Sequence, residues 1–148
     1  MTSSLFIKVR VAEPGDDASV KMLLTEATEE QKKYRGQLSV VDSVDSAFVA
    51  TVGESVVGVL QYATKTSSTA VITCVHVHSS ARDVGVGDAL LLHTIRHLRT
   101  AGVMWLSGQA QPGDRALKNL FERHGLVAQT IVVGKSLSDL STVEHASQ

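Results

Sequence analysis

A β-forming run, a two-glycine turn and a helical run follow one another without interruption between Val71 and Leu98, and this succession limits the fold more than any other feature. Val71-Ile72-Thr73-Cys74-Val75-His76-Val77 reads as a strand, and Ala89-Leu90-Leu91-Leu92-His93-Thr94-Ile95-Arg96-His97-Leu98 reads as a helix. Between them lie Arg82-Asp83-Val84-Gly85-Val86-Gly87. A helix start leaves backbone N–H groups unpaired and concentrates positive partial charge, while glycines let an anion come close to the backbone. The turn therefore suits a phosphate or pyrophosphate. A strand that feeds a helix also demands a crossover to a further, parallel strand, and Val103–Gly108 is placed to be that strand.

The rest of the chain builds around this unit. Phe6–Val11 alternates apolar and basic residues as a first strand, which ends at Pro14-Gly15. Asp16 and Asp17 suit a helix start, and Val20, Leu23, Leu24 and Ala27 recur at helical spacing through Glu30. Residues Gln31 to Asp45 show no clear period and read as irregular, with room for a short helix. Ala47–Val52 and Val56–Tyr62, separated by Gly53-Glu54-Ser55, have the spacing of a hairpin. Asp114 caps a further helix carrying Leu117, Leu120, Phe121 and His124 on one face, stopped by Gly125. Leu126–Val133 reads as a last strand, and the polar tail from Ser136 has no period, with 138–148 expected to be flexible. The order β-α-β-β-β-α-β-α-β describes a mixed α/β sheet in one domain over 1–148, its core about 5–137.

With 14 basic and 15 acidic residues the formal net charge is -1, and no basic tract appears, so neither nucleic acid nor an anionic membrane surface is indicated as a partner. The lone Cys74 excludes an internal disulfide, and no leader-like segment or long apolar run is seen, so a cytoplasmic location is expected.

The turn and the element order together resemble the GNAT superfamily of N-acetyltransferases. Its motif of Arg or Gln, two residues, Gly, one residue, then Gly or Ala is matched by Arg82, Gly85 and Gly87. Leu120-Phe121-Glu122-Arg123-His124-Gly125-Leu126 is similar to the close of the family's last main helix, and Arg10-Val11-Ala12-Glu13-Pro14-Gly15-Asp16 to its opening strand, proline and aspartate. The resemblance spans Phe6 to Leu137. It implies a GNAT fold with a splayed sheet, acetyl-CoA or another acyl-CoA as donor, an amine as acceptor and no metal. It implies pantetheine contacts from the backbone of Val75, His76 and Val77, and pyrophosphate contacts from Arg82, Asp83, Val84, Gly85, Val86, Gly87 and Asp88. Arg115, Lys118, Asn119 and Arg123 share a helix face that reads either as solvated or, through Lys118 or Asn119, as meeting the 3′-phosphate of CoA, and Tyr34 and Arg35 fall where members shape the acceptor pocket. Homodimers are common in the family, and the sequence specifies no interface.

The chain departs from the family at three places. Ile72-Thr73-Cys74-Val75 holds no carboxylate where many members carry a glutamate base; His76 and His78 lie close to that point and read either as partly exposed strand residues or as the base, as imidazole changes charge near neutral pH. Residues two apart on a strand share a face, so the two histidines stand together. Phe121 replaces the usual acidic tyrosine and has no proton to donate. Asp83 and Asp88 put carboxylates beside a site meant for phosphates. Two readings follow: an acetyl-CoA-dependent N-acetyltransferase, or a GNAT-fold module that binds or regulates without turnover. Elsewhere, Leu91, Ile95 and Leu98 read as a core stripe, Trp105 as core and Cys74 as a buried strand residue. His93 and His97 read as solvated or rim residues.

Overall fold

The computed structural model describes residues 6–38 and 46–138. Strands β1 (Ile7–Val11), β2 (Ser46–Val52), β3 (Ser55–Thr66), β4 (Thr69–Val77) and β5 (Trp105–Ser107) form one sheet in that spatial order. The helices are α1 (Asp17–Gln31), α2 (Val86–Thr100) and α3 (Arg115–Arg123). The first four strands are antiparallel neighbours, whereas β4 and β5 run parallel because α2 crosses between them.

Alternation along the strands divides the core in two. On one face Leu23 of α1 packs with Val49 and Val59, all at 0% exposure. On the other, Phe48, Ala50, Leu60, Tyr62, Ala70 and Ile72 meet Leu90, Leu91 and Leu98 of α2 and Leu120 and Phe121 of α3. The expected α2 stripe is thus core, with Ile95 packed against it. Thr94 is wholly buried in that stripe, and its hydroxyl donates to Leu90 O at 2.8 Å, so no polar group is stranded there. His93 and His97 meet the Phe48 ring edge-on, at 4.6 and 5.2 Å between centroids.

Three expectations are corrected. Leu126–Val133 is not a strand: Gly125, at φ +87°, stops α3, and every residue from Val127 to Ser138 is exposed. The apolar run has strand composition, but β pairing needs a neighbour, and no described strand lies alongside it. Trp105 is 52% exposed rather than core, because β5 is only three residues long and stands at the sheet edge. Asp16 precedes α1 without capping it. Its carboxylate instead accepts two hydrogen bonds from Arg10, at 2.6 and 2.9 Å, and one from Glu13 N–H at 2.8 Å. The short helix allowed between Gln31 and Asp45 is not seen in 32–38, which run as turn and bend; residues 39–45, like 139–148 of the tail, lie outside the described residues.

The Arg10–Asp16 clasp ties β1 to the start of α1 and gives a pH signature. Arg10 first, then the Glu13 amide, hold the Asp16 carboxyl down at about 2. A carboxyl lowered in the folded state stabilises the fold above its ordinary value near 4, and that contribution is lost as pH falls toward 2. The melting temperature is therefore expected to fall between pH 4 and pH 2, and Asp16→Asn to flatten this part of the profile while lowering stability at pH 7. Thermal scans of both proteins across this range check it.

Candidate active site

Strand β4 pairs with β5 only through Thr69, Ala70 and Val71. Beyond Val71 the two part, and a cleft of about 550 Å³ opens between β4, α3 and the end of α1. One cause is a bulge: Gln61 faces Cys74 and Tyr62 faces Ile72, which leaves Thr73 as an extra residue that bends the strand. On the far side, Gly108 lies under the Phe121 ring, where an added Cβ would be 2.6 Å from Cζ, so α3 presses against the end of β5.

The open edge of β4 leaves backbone groups unpaired. His78 N–H donates to Val57 O at 2.8 Å, so by alternation His76 also turns its backbone toward β3. Val75 and Val77 then turn theirs toward the cleft, as seen in Val77 O, which accepts from Arg82 Nε at 2.9 Å. At the end of the cleft, α2 begins at Gly85, whose φ of +92° suits a residue without Cβ. No side chain caps this helix, and its first described intrahelical donor is Ala89 N–H to Gly85 O. The amides of Val86, Gly87 and Asp88 thus form an anion-seeking corner. Gly87 also has a packing reason, since a Cβ there would come within 3.3 Å of Leu120.

Of the residues singled out in the sequence, Val75, His76, Val77, Arg82, Asp83, Gly85, Val86, Gly87 and Asp88 line the cleft, as does Tyr34. His78, Val84, Arg35, Lys118 and Asn119 do not. Asp83 holds the left-handed conformation at φ +65°, a strained geometry for a residue with a Cβ. Asp88 is turned toward α3: Arg123 donates to it at 3.0 and 3.1 Å and His124 Nε2 lies 2.8 Å away. Arg123 foremost, with His124, holds the Asp88 carboxyl below its usual range. Its negative charge is therefore met from α3. Cys74 is only partly buried, yet desolvation pushes its thiol up to about 11, far from a nucleophilic thiolate.

Two carboxylates that the sequence did not single out complete the site. Glu26 and Glu30 lie one turn apart on α1 and reach over β4. Glu26 Oε1 is 3.0 Å from His76 Nε2, and its Oε2 is 3.3 Å from His78 Nε2. Glu30 is bound by the two terminal guanidinium nitrogens of Arg82, at 3.1 Å for Nη1, and its Oε2 lies 3.8 Å from His76 Nδ1. Arg82 holds the Glu30 carboxyl below its ordinary value. The four-residue spacing of Glu26 and Glu30 was visible in the chain, but a helix face rich in acids reads as solvated until β4 is placed under it.

The two histidines differ. His78 follows the last residue of β4, and its Nδ1 accepts Ser80 N–H at 3.1 Å while Nε2 faces Glu26, so both ring nitrogens are committed. His76 is 6% exposed; its Nε2 lies 3.0 Å from Glu26 Oε1 and its Nδ1 faces Glu30 Oε2 at 3.8 Å. A further polar side chain lies buried in the cleft wall. Gln111 is 8% exposed, and its Nε2 donates to Gln31 O at 3.2 Å and Gly36 O at 2.8 Å. That fixes the amide orientation and leaves Oε1 as an acceptor with no hydrogen-bond partner among the described residues, as is Thr73 Oγ1.

The acetyltransferase (GNAT) family model matches residues 16–126, a span that includes α1, the splayed strands, the α2 turn and α3. The chain belongs to the GNAT acetyltransferase family. No curated protein matches it. Among solved structures, a transcriptional regulator from Bacillus halodurans is 22% identical, covering 89% of this chain and 100% of its own, with a TM-score of 0.71. An aminoglycoside acetyltransferase from an uncultured soil metagenomic sample is 20% identical over 90% of this chain and 96% of its own, TM-score 0.67. Aminoglycoside N-acetyltransferase AAC(6')-Iy in complex with CoA is 12% identical over 91% and 97%, TM-score 0.69. At these identities the likeness is one of fold, and it matches the mixed sheet with its three helices. Among the described residues of this GNAT chain, no helix is long and apolar enough to cross a membrane.

Proposed function

We propose that this GNAT protein transfers an acyl group, acetyl in the simplest case, from acyl-CoA to a primary amine by direct attack. The observation that carries the reading is the opening of β4 from β5 after Val71, which aligns an unpaired strand edge, an uncapped helix start and a histidine–carboxylate pair along one cleft. The residues fit the donor. Val75 and Val77 offer strand-edge hydrogen bonds to an amide-bearing arm, and the amides of Val86, Gly87 and Asp88 with Arg82 suit a pyrophosphate. The turn at Gly85, with open space where a Cβ would stand, allows close approach.

The amine nitrogen attacks the thioester carbonyl, forming the C–N bond. The C–S bond then breaks and thiolate leaves with the electron pair. The Val75 N–H on the open edge is the candidate donor for the oxyanion. His76 Nδ1, with Nε2–H held by Glu26, accepts the proton of the amine directly or through water, whereas His78 has no nitrogen to spare. The Tyr34 side of the cleft would hold the acceptor amine. Thiol release measured with acetyl-CoA against a panel of amines tests the activity. Absence of turnover on every amine, with CoA binding intact in calorimetry, leaves the second reading, a binding or regulatory module, which Phe121 in place of an acidic tyrosine favours.

Arg82 enters this scheme already engaged by Glu30. A donor pyrophosphate has to displace that carboxylate. The pair is 40% and 33% exposed at its two side chains, so solvent keeps its worth near 1 kcal/mol, about a fivefold change in binding. Glu30→Gln is therefore expected to tighten CoA binding by about fivefold in calorimetry. Unchanged affinity would show that Arg82 does not leave Glu30 for the donor.

A further inference from the structure

The charged side chains of the cleft are sorted along its length. Among the described residues, the lysines and arginines that line it are Lys65, Arg82 and Arg123. Arg82 is held by Glu30 and Arg123 by Asp88, both toward the end where α2 begins. Lys65 has no hydrogen bond or ion pair among the described residues. Its place follows from the strand pairing. Thr64 stands opposite Ala70 and Thr66 opposite Thr69, so Lys65 is an extra residue bulged out of β3, at the level where β4 still pairs with β5. A bulge re-aims a side chain. Here Lys65 lines the cleft together with Val71 and Ser107, the last pair that β4 and β5 form, which marks the closed base of the splay.

The carboxylates are gathered elsewhere. Glu30, Asp83 and Asp88 line the cleft toward the α2 start, and Glu26 meets His76. Asp114 is also in the wall, but its carboxylate accepts Leu117 N–H as the cap of α3. The cleft therefore favours an ammonium group at its Glu30 and His76 end and an anion at its Lys65 end.

We infer that the acceptor amine also carries a carboxylate, and that Lys65 binds this carboxylate while the amine meets His76. The amine end of this inference rests on the acyl-transfer reading above; the anion end rests on Lys65 alone. A single lysine, with no second cation and no helix start beside it in the cleft, suits a singly charged carboxylate better than a phosphate. The spacing sets the class of acceptor. From Val71 to His76 is five residues of β4, about 16 Å of strand, of which the two side chains take up part. An α-amino group, one carbon from its carboxylate, is too close to touch both ends. The terminal amine of a linear amino acid of about four to six carbons spans the remainder.

Turnover of the full chain with acetyl-CoA is the test, measured on 6-aminohexanoate, hexylamine and 1,6-diaminohexane, and on glycine through the intermediate amino acids. For 6-aminohexanoate kcat/KM should exceed that for hexylamine by about fivefold, through KM, and the advantage should fade at high salt. Lys65→Met should remove the advantage and Lys65→Glu should turn it toward 1,6-diaminohexane. A merely structural role would lower all three amines alike. Lys65 is exposed, so both variants should fold. Equal KM values for the three amines, or a ratio that Lys65→Glu leaves as it was, overturn the inference while acyl transfer stands. Glycine as the best amino acid overturns it too. If no amine turns over, calorimetry of 6-aminohexanoate into the protein with CoA decides. Binding that Lys65→Glu abolishes upholds the carboxylate seat although the transfer reading fails, and no binding overturns it.

Discussion

Replacing His76 with glutamine is expected to lower kcat by about 100-fold or more while leaving the fold intact, the range over which a positioned general base acts. Glutamine keeps a donor that reaches Glu26, so the buried polar contact under α1 survives while the proton-accepting nitrogen does not. The loss should fall on kcat rather than on the KM for acetyl-CoA, because the backbone of His76 faces β3 and not the cleft. Glu26→Gln serves as the companion. It removes the charge that orients Nε2–H, and a smaller fall in kcat with a displaced pH–rate profile is expected. His78→Gln should change little. If His76→Gln keeps both the wild-type rate and its pH profile, the imidazole is only a strut between Glu26 and Glu30, and the amine reaches the cleft already neutral.

Substituting valine at Gly85 is expected to weaken CoA binding by about 100-fold or more, with a drop in melting temperature. The backbone there sits at φ +92°, which a β-branched residue adopts only under strain, of order 1 to 3 kcal/mol. That strain unwinds the first turn of α2 and scatters the free amides of Val86, Gly87 and Asp88. Gly85→Asn separates conformation from space, because asparagine tolerates the left-handed region. No protein atom lies within 4 Å of a Cβ at Gly85, so the chain itself has room for a side chain. If Asn restores the melting temperature but not CoA binding, the ligand itself occupies that space. If both variants bind CoA as the wild type does, the α2 start is not the phosphate site.

The contrast between Gly85 and Gly87 shows how sequence and structure divide the account. Both glycines were legible as a strand-to-helix turn, but their reasons differ: one serves a positive φ, the other the approach of Leu120. The same holds for the carboxylates. Asp88 reads in sequence as a charge at odds with phosphate, and only the packing of α3 on α2 brings Arg123 and His124 to it. Glu26 and Glu30 were invisible as site residues because nothing local marks which face of α1 lies over β4. The last strand was misread for a related reason. Leu126–Val133 has the composition of a strand, and composition does not supply a partner.

By itself the sequence determined the element order from Ile7 to Arg123, the antiparallel run of β2 to β4, the parallel return of β5 and the glycine turn, because hydrophobic period, turn residues and crossover connections act over short stretches. The tertiary structure alone decided where β4 leaves β5, which groups each histidine meets, which carboxylates meet Arg82 and His76, and that the arm after α3 stands alone. Each of these depends on contacts between residues far apart in the chain, such as Glu30 with Arg82 or Gln111 with Gly36, whose distances arise only once the helices are laid on the sheet.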